Sequence, residues 1–170
     1  MDKPGTFYYE TEIEWTGERT GRLQAPGLPD ISVGAPPEFS GRAGNWSPEH
    51  LLVASLNSCF MLTLLAIAGN SKVPLASVAS SAKGTLEKVE GGGYQITKIV
   101  LKPRVVVAAA GDLSRIGRLL EKAKQNCFVS NSIKSTVELE PEVFHQQTQT
   151  IPCPSTEAGD PKRSSTKTRS

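Results

Sequence analysis

The chain reads as an α+β domain in which antiparallel β-sheets surround two central helices. Three observations lead there. Leu51–Ala68 and Asp112–Cys127 carry helical apolar patterning; the segments around them are rich in β-branched and aromatic residues; and Gly- or Pro-containing turns divide those segments into pairs. The order is strand pair, helix, strand pair, helix, strand, with no internal repeat.

Residues 7–15, FYYETEIEW, predict the first strand, because aromatic and β-branched side chains suit a pleated, half-buried surface. Thr16–Gly21 holds turn residues, and Arg22-Leu23-Gln24 begins the return strand. A connection from Ala25 to Asn45 follows, with Pro26, Pro29, Pro36 and Pro37 and a short strand at Ile31-Ser32-Val33; irregular segments this long inside a domain are commonly functional. Ser47-Pro48-Glu49 predicts a helix start, with Ser as N-cap, Pro at the first helical position and an acid in the first turn. That helix runs to about Gly69-Asn70 and is apolar nearly all round, so burial on most sides is expected. Val78–Val89 and Tyr94–Val107 predict a hairpin closed by Glu90-Gly91-Gly92-Gly93. No helix follows those glycines, so they are a turn and not a phosphate loop. Asp112 opens the second helix, whose Leu113, Ile116, Leu119, Leu120 and Ala123 form one stripe ending near Cys127. Ser135–Val143 closes as a strand.

Residues 1–144 are expected to form the domain. From His145 onward the composition turns to Gln, Thr, Ser, Pro and Lys, and residues 145–170 read as a disordered basic tail. The tail carries Lys162, Arg163, Lys167 and Arg169 against Glu157 and Asp160, which accounts for the whole net charge of +2. A neutral body argues against nucleic-acid binding, which needs a concentrated basic surface. Three cysteines are too few, and odd in number, for a secreted disulfide framework, and the first fifteen residues lack a signal peptide's basic start and apolar run, so a cytoplasmic location is expected. Leu51–Ala68 is uncharged, but it contains Ser55, Asn57, Ser58 and Thr63, which favours a core helix over a membrane span.

Cys59 lies in the middle of that helix. In isolation a cysteine on an apolar helix is a small core residue. Glu49, ten residues earlier, lies about 80° around and about 15 Å along the helix, too far to touch the thiol but able to hold an arginine. A guanidinium beside a thiol with a pKa of about 8.5 would raise its thiolate fraction at neutral pH about 30-fold for a shift of about two units. Arg19 and Arg22 in the first turn and Arg42 in the loop are the arginines upstream. Cys127 ends the second helix and becomes a partner for Cys59 only if the fold brings their Cα atoms within about 7 Å. Cys153, between two prolines, reads as a bystander. His50, His145, Cys59 and Cys127 show no metal-ligand spacing, so no metal site is expected, and no nucleophile elbow supports a serine hydrolase.

Two motifs carry a family resemblance. Ser47-Pro48-Glu49-His50-Leu51, with Cys59-Phe60 further on, resembles the signature around the peroxidatic cysteine of the OsmC/Ohr family, the osmotically inducible and organic hydroperoxide resistance proteins. Ala123–Ser130, AKQNCFVS, resembles the family's second-cysteine segment, A-x-x-x-C-P-V-S, with Phe128 where that pattern has proline. The order of elements agrees over residues 7–143. The resemblance implies an intertwined homodimer with the two central helices buried and the active sites at the subunit interface. It implies a thiol-dependent peroxidase for organic hydroperoxides. Cys59 would become a sulfenic acid, Cys127 would condense with it to a disulfide, and Glu49 would orient the activating arginine. Residues 16–22, TGERTGR, resemble the arginine turn T-G-G-R-D-G-R of the Ohr branch and point to Arg19. The OsmC branch places its arginine before a phenylalanine in the later loop; here Glu38 precedes Phe39 and the nearest arginine is Arg42, the second choice. No resident cofactor is implied; an external dithiol, in the Ohr branch a lipoyl group, would reduce the disulfide. The alternative is a dimeric binding protein holding an apolar ligand beside a redox-inert Cys59.

Overall fold

The computed structural model describes residues 5–146. Cys153 and the expected tail beyond residue 146 lie outside the described residues. Strands β1 (Glu12–Gly17), β2 (Thr20–Gln24) and β3 (Ile31–Gly34) form an antiparallel sheet in that order. Helix α1 (Pro48–Asn70) follows the long loop. Strands β4 (Leu75–Lys88) and β5 (Tyr94–Val107) make a long antiparallel hairpin; helix α2 (Leu113–Asn126) then leads to β6 (Thr136–Leu139) and β7 (Glu142–His145).

Three expectations change. The first strand was expected from residue 7, but β1 starts at Glu12, opposite Gln24. Beyond Gln24 the chain turns at Ala25-Pro26-Gly27, so residues 7–11 have no neighbouring strand on this side. The last strand is two, separated by Glu140-Pro141, because proline supplies no N–H to a ladder. The larger sheet is mixed and not wholly antiparallel: β6 and β7 both run parallel to β5, along the edge opposite β4. The physical reason is α2, since a helical crossover returns the chain to start its next strand in the same direction.

Local chemistry sets the helix ends. Ser47, 1% exposed, accepts the His50 N–H at 3.3 Å and meets His50 Nδ1 at 2.9 Å. At the far end Lys72 takes a left-handed conformation (φ 53°) and Val73 N–H closes onto the Ala68 carbonyl at 3.0 Å. Arg115 of α2 donates to the Ser71 carbonyl at 2.8 Å while paired to Asp112 at 3.0 Å, so the start of α2 caps the end of α1.

The core lies between the helices and β5. Ile99, Leu101, Val105 and Val107 line one strand face at every second residue, and Ile116, Leu120 and Ala123 form the matching stripe of α2. From α1 the buried residues are Leu56, Phe60, Leu64 and Ala68, spaced by four. Here the expected burial of α1 on most sides is corrected: within one chain it buries a single stripe, and Leu62 (60%) and Leu65 (41%) remain exposed. One helix and one sheet can cover only one side of a cylinder. By length and composition α1 is also apolar enough to cross a membrane; one of its faces packs on α2, β4 and β5, and the rest of it is open.

Phe60, wholly buried at the centre of that contact, should cost about 3–5 kcal/mol when truncated to Ala. Ser47→Ala should cost about 0.5–2 kcal/mol through the lost cap. Urea unfolding measures both, and a Phe60→Ala midpoint equal to the parent's would contradict this account of the core.

Candidate active site

Two groups of functional side chains stand apart on α1. The first surrounds Glu49. Arg19 is the second residue of the tight β1–β2 turn, where Gly17 (φ 123°) and Glu18 (φ 47°) both take positive φ. Its carbonyl accepts the Ala35 N–H at 3.1 Å and its Nη1 donates to the Phe39 carbonyl at 2.5 Å, stitching the turn to the 35–39 loop. Gly41 tightens that loop: a Cβ there would sit 1.6 Å from the Ala35 oxygen. Arg19 and Glu49 line one open cavity of about 570 Å³, whose other walls include Ile13, Trp15, Val33 and Phe39. Glu49 Oε2 is buried with no hydrogen-bond partner among the described residues. A carboxylate oxygen so placed is costly unless a cation or donor reaches it. Arg42 points elsewhere; its Nη2 pairs with Glu18 Oε1 at 2.9 Å, with both side chains exposed.

The second group is the thiol pair. Ten residues along α1, about 15 Å from Glu49 along the axis, Cys59 meets the end of α2. Cys127, wholly buried, lies beside Cys59, and the two thiols influence each other's acidity. The chain then turns back over both sulfurs, with Ser130 N–H 3.5 Å from Cys127 Sγ and Asn131 N–H 3.1 Å from the Cys127 carbonyl.

This enclosure drives the two thiols apart in acidity. Burial pushes Cys59 up, but the Val129 N–H, the Cys127 thiol, the Phe128 N–H and the Thr63 hydroxyl all favour its anion, and the balance lies below the ordinary value. Burial pushes Cys127 up, and the neighbouring Cys59 adds to that rise. The Ser130 hydroxyl, itself buried without a hydrogen bond of good geometry, still opposes it. The two neighbouring thiols therefore differ in acidity, Cys59 the more acidic and Cys127 the less.

Of the residues singled out from sequence, the fold brings Cys59 to Cys127 and Arg19 to the cavity of Glu49, and leaves Arg42 in a surface ion pair. No listing of side-chain types could reveal the Phe128 and Val129 main-chain donors or the Phe39 carbonyl. Thr63 was findable, being four residues after Cys59 on the same helix face. Among the described residues no three His, Cys, Asp or Glu side chains converge as metal ligands would.

Comparison with known proteins follows the same outline. A family model described as OsmC-like protein matches residues 41–142. Peroxiredoxin OsmC of Escherichia coli is 31% identical over 140 residues, covering 82% of this chain and 95% of that protein. An organic hydroperoxide resistance protein of Xanthomonas axonopodis is 27% identical over 142 residues, covering 82% and 96%. Among solved structures, an OsmC-like protein of unknown function from Vibrio cholerae superposes with a TM-score of 0.74 at 27% identity, covering 80% of this chain and 99% of that one.

With the thiols reduced, site-resolved alkylation from about pH 6 to 10 should give Cys59 a midpoint below 9.0 and Cys127 one above it. The sign for stability follows: the Cys59 thiolate stabilises the fold above the unfolded-state pKa and this is lost as pH falls through the folded value, whereas raised Cys127 works against the fold once pH exceeds its unfolded value. Equal midpoints would contradict the asymmetry.

Proposed function

Because this chain belongs to the OsmC-like family, we propose that it is a thiol-dependent peroxidase for organic hydroperoxides, with Cys59 as attacking sulfur and Cys127 as resolving sulfur. The observation that carries this reading is that the two thiols lie side by side, Cys59 held below the ordinary thiol range and Cys127 above it. The names of the peroxiredoxin and hydroperoxide-resistance relatives support it.

The Cys59 thiolate attacks the terminal peroxide oxygen. The O–O bond breaks, the alkoxide leaves and takes a proton, and the products are an alcohol and a Cys59 sulfenic acid. Cys127, giving up its proton, attacks the sulfenic sulfur and displaces water, forming the Cys59–Cys127 disulfide. An external dithiol, as in a lipoylated protein, restores both thiols by two exchanges and leaves as a disulfide. Every electron passes through sulfur, so the cycle calls for no resident cofactor or metal, and it suits a reducing, cytoplasmic setting.

The activating group enters from a second copy of the chain. Glu49 and Cys59 ride one rigid helix about 15 Å apart, so one chain's Glu49 and Arg19 do not serve its own Cys59. In an intertwined homodimer, Arg19, oriented by Glu49, would reach Cys59 of the partner subunit, and the cavity walls Ile13, Trp15 and Phe39 would receive the organic part of the peroxide. Exposed apolar side chains support such a cover: Phe7, Tyr9, Ile13 and Trp15 on the N-terminal arm, Leu62 and Leu65 on α1. Arg42, held by Glu18, is the second choice of activator.

Cys59→Ser should abolish hydroperoxide consumption, and Cys127→Ser should stop after one turnover with a sulfenic acid that a dimedone probe traps. Loss of one charge-stabilising donor in Arg19→Ala should cost about 10²–10³-fold in rate. A shared site makes a sharper demand: inactive Cys59→Ser and inactive Glu49→Ala chains, unfolded and refolded together, should regain activity, since one mixed site is whole. Peroxidase activity retained by Cys59→Ser sinks the proposal; an unreactive Cys59 throughout would favour the apolar-ligand binder.

A further inference from the structure

The turn after α2 is braced by its own polar groups. Asn126 Nδ2 donates to the Lys122 carbonyl at 2.8 Å, Asn131 Nδ2 to the Gln125 carbonyl at 3.0 Å and Ser132 Oγ to the Phe128 carbonyl at 2.8 Å. The N–H groups of Asn131 and Ser132 reach the Cys127 and Val129 carbonyls at 3.1 and 3.0 Å. Ser130 departs from this pattern. Its N–H donates to Cys127 Sγ at 3.5 Å, and its hydroxyl, shut off from solvent, has no hydrogen-bond partner among the described residues. A hydroxyl buried without a partner carries its full desolvation penalty, so its place in the fold calls for a reason.

We propose that Ser130 is the positioning residue of Cys127: its main-chain N–H holds the sulfur in place, and its idle hydroxyl becomes a second donor when that sulfur turns into a thiolate. Burial creates the need. Cys127 is wholly buried in the apolar core, where an anion without donors is heavily penalised. Burial pushes this thiol up, and the Ser130 hydroxyl and N–H each act against that rise. The step served is closure of the disulfide. Cys127 loses its proton, and its thiolate attacks the sulfenic sulfur that an organic hydroperoxide leaves on Cys59. The S–S bond forms as the S–O bond breaks, and the departing hydroxide takes the proton to become water. The Cys127 sulfur is oxidised and the sulfenic sulfur reduced, so this step consumes no outside oxidant. The inference deepens the reading above, in which Cys127 is the resolving sulfur, and rests on it for that step alone.

The first measurement uses an alkylating reagent and no peroxide. The pH midpoint of Cys127 alkylation is followed by peptide mass mapping in the full reduced chain, in Ser130→Ala and in Ser130→Thr. Ser130→Ala keeps the N–H and loses the hydroxyl; it should move the midpoint up by about one unit, about tenfold less thiolate at a pH below both midpoints. Ser130→Thr keeps a hydroxyl and should return the midpoint to that of the parent. A Ser130→Ala midpoint equal to the parent's, or a Ser130→Thr midpoint as high as that of Ser130→Ala, overturns the proposal. A merely structural hydroxyl would move the urea midpoint and leave the Cys127 midpoint where it is. The second measurement adds one equivalent of tert-butyl hydroperoxide. Ser130→Ala should form the Cys59 sulfenic acid at the parent's rate and close the disulfide about tenfold more slowly at neutral pH, a deficit that shrinks as pH rises through the Cys127 midpoint. Closure at the parent's rate at every pH overturns the proposal equally. A parent chain that forms no sulfenic acid would instead be a failure of the peroxidase reading, and the alkylation midpoints then decide the role of Ser130 by themselves.

Discussion

The contact between α1 and α2 is the constraint on which everything else depends. Leu56, Phe60 and Leu64 are fully buried against Ile116, Leu120 and Ala123, and β5 closes the third side with alternate side chains. Each large side chain removed from water there contributes about 1.5–3 kcal/mol. That packing also does chemistry. It ends α2 at the middle of α1, so the last residue of one stripe, Cys127, falls beside a residue on the flank of the other, Cys59. The tie between Arg115 and the Ser71 carbonyl fixes how far the helices can slide past each other.

A helix is a rigid ruler, and α1 carries functional groups at two marks on it. Near its start, Glu49 faces a cavity shared with Arg19; about 15 Å further along, Cys59 faces the turn after α2. The two groups differ in kind. The first presents a buried, unpartnered carboxylate oxygen and an arginine resting on a loop carbonyl. The second is complete within the chain, its sulfurs enclosed by main-chain donors and by Ser130 and Thr63. The proposed dimer would join an unfinished half to a finished one, and it would cover the apolar surface that a single chain leaves on α1 and at its N-terminal arm.

Much of this was legible beforehand. The Ser47 cap, Pro48 and Glu49 mark the start of α1 because capping is local chemistry, and the β4–β5 hairpin follows from a glycine turn between two β-rich runs. Segment limits were less legible where they depend on neighbours. Residues 7–11 have strand-like composition, yet form none, because among the described residues no strand pairs with them. The parallel direction of β6 and β7 depends on where the α2 crossover lands, which no local pattern records.

By itself the sequence determined which residues are candidates for the chemistry: the capped helix with Glu49 and Cys59 ten residues apart, Cys127 at the end of a second apolar stripe, and Arg19 and Arg42 in turns upstream. Those are properties of residue type and spacing. Only the tertiary structure decided which of them meet. It set Cys127 beside Cys59, Arg19 in the cavity of Glu49 and Arg42 on Glu18, and it turned the Ser130 main-chain N–H toward the Cys127 sulfur. The reason is physical: encounters between distant segments come from how buried faces pack, and a main-chain N–H has no letter of its own until the fold gives it a direction.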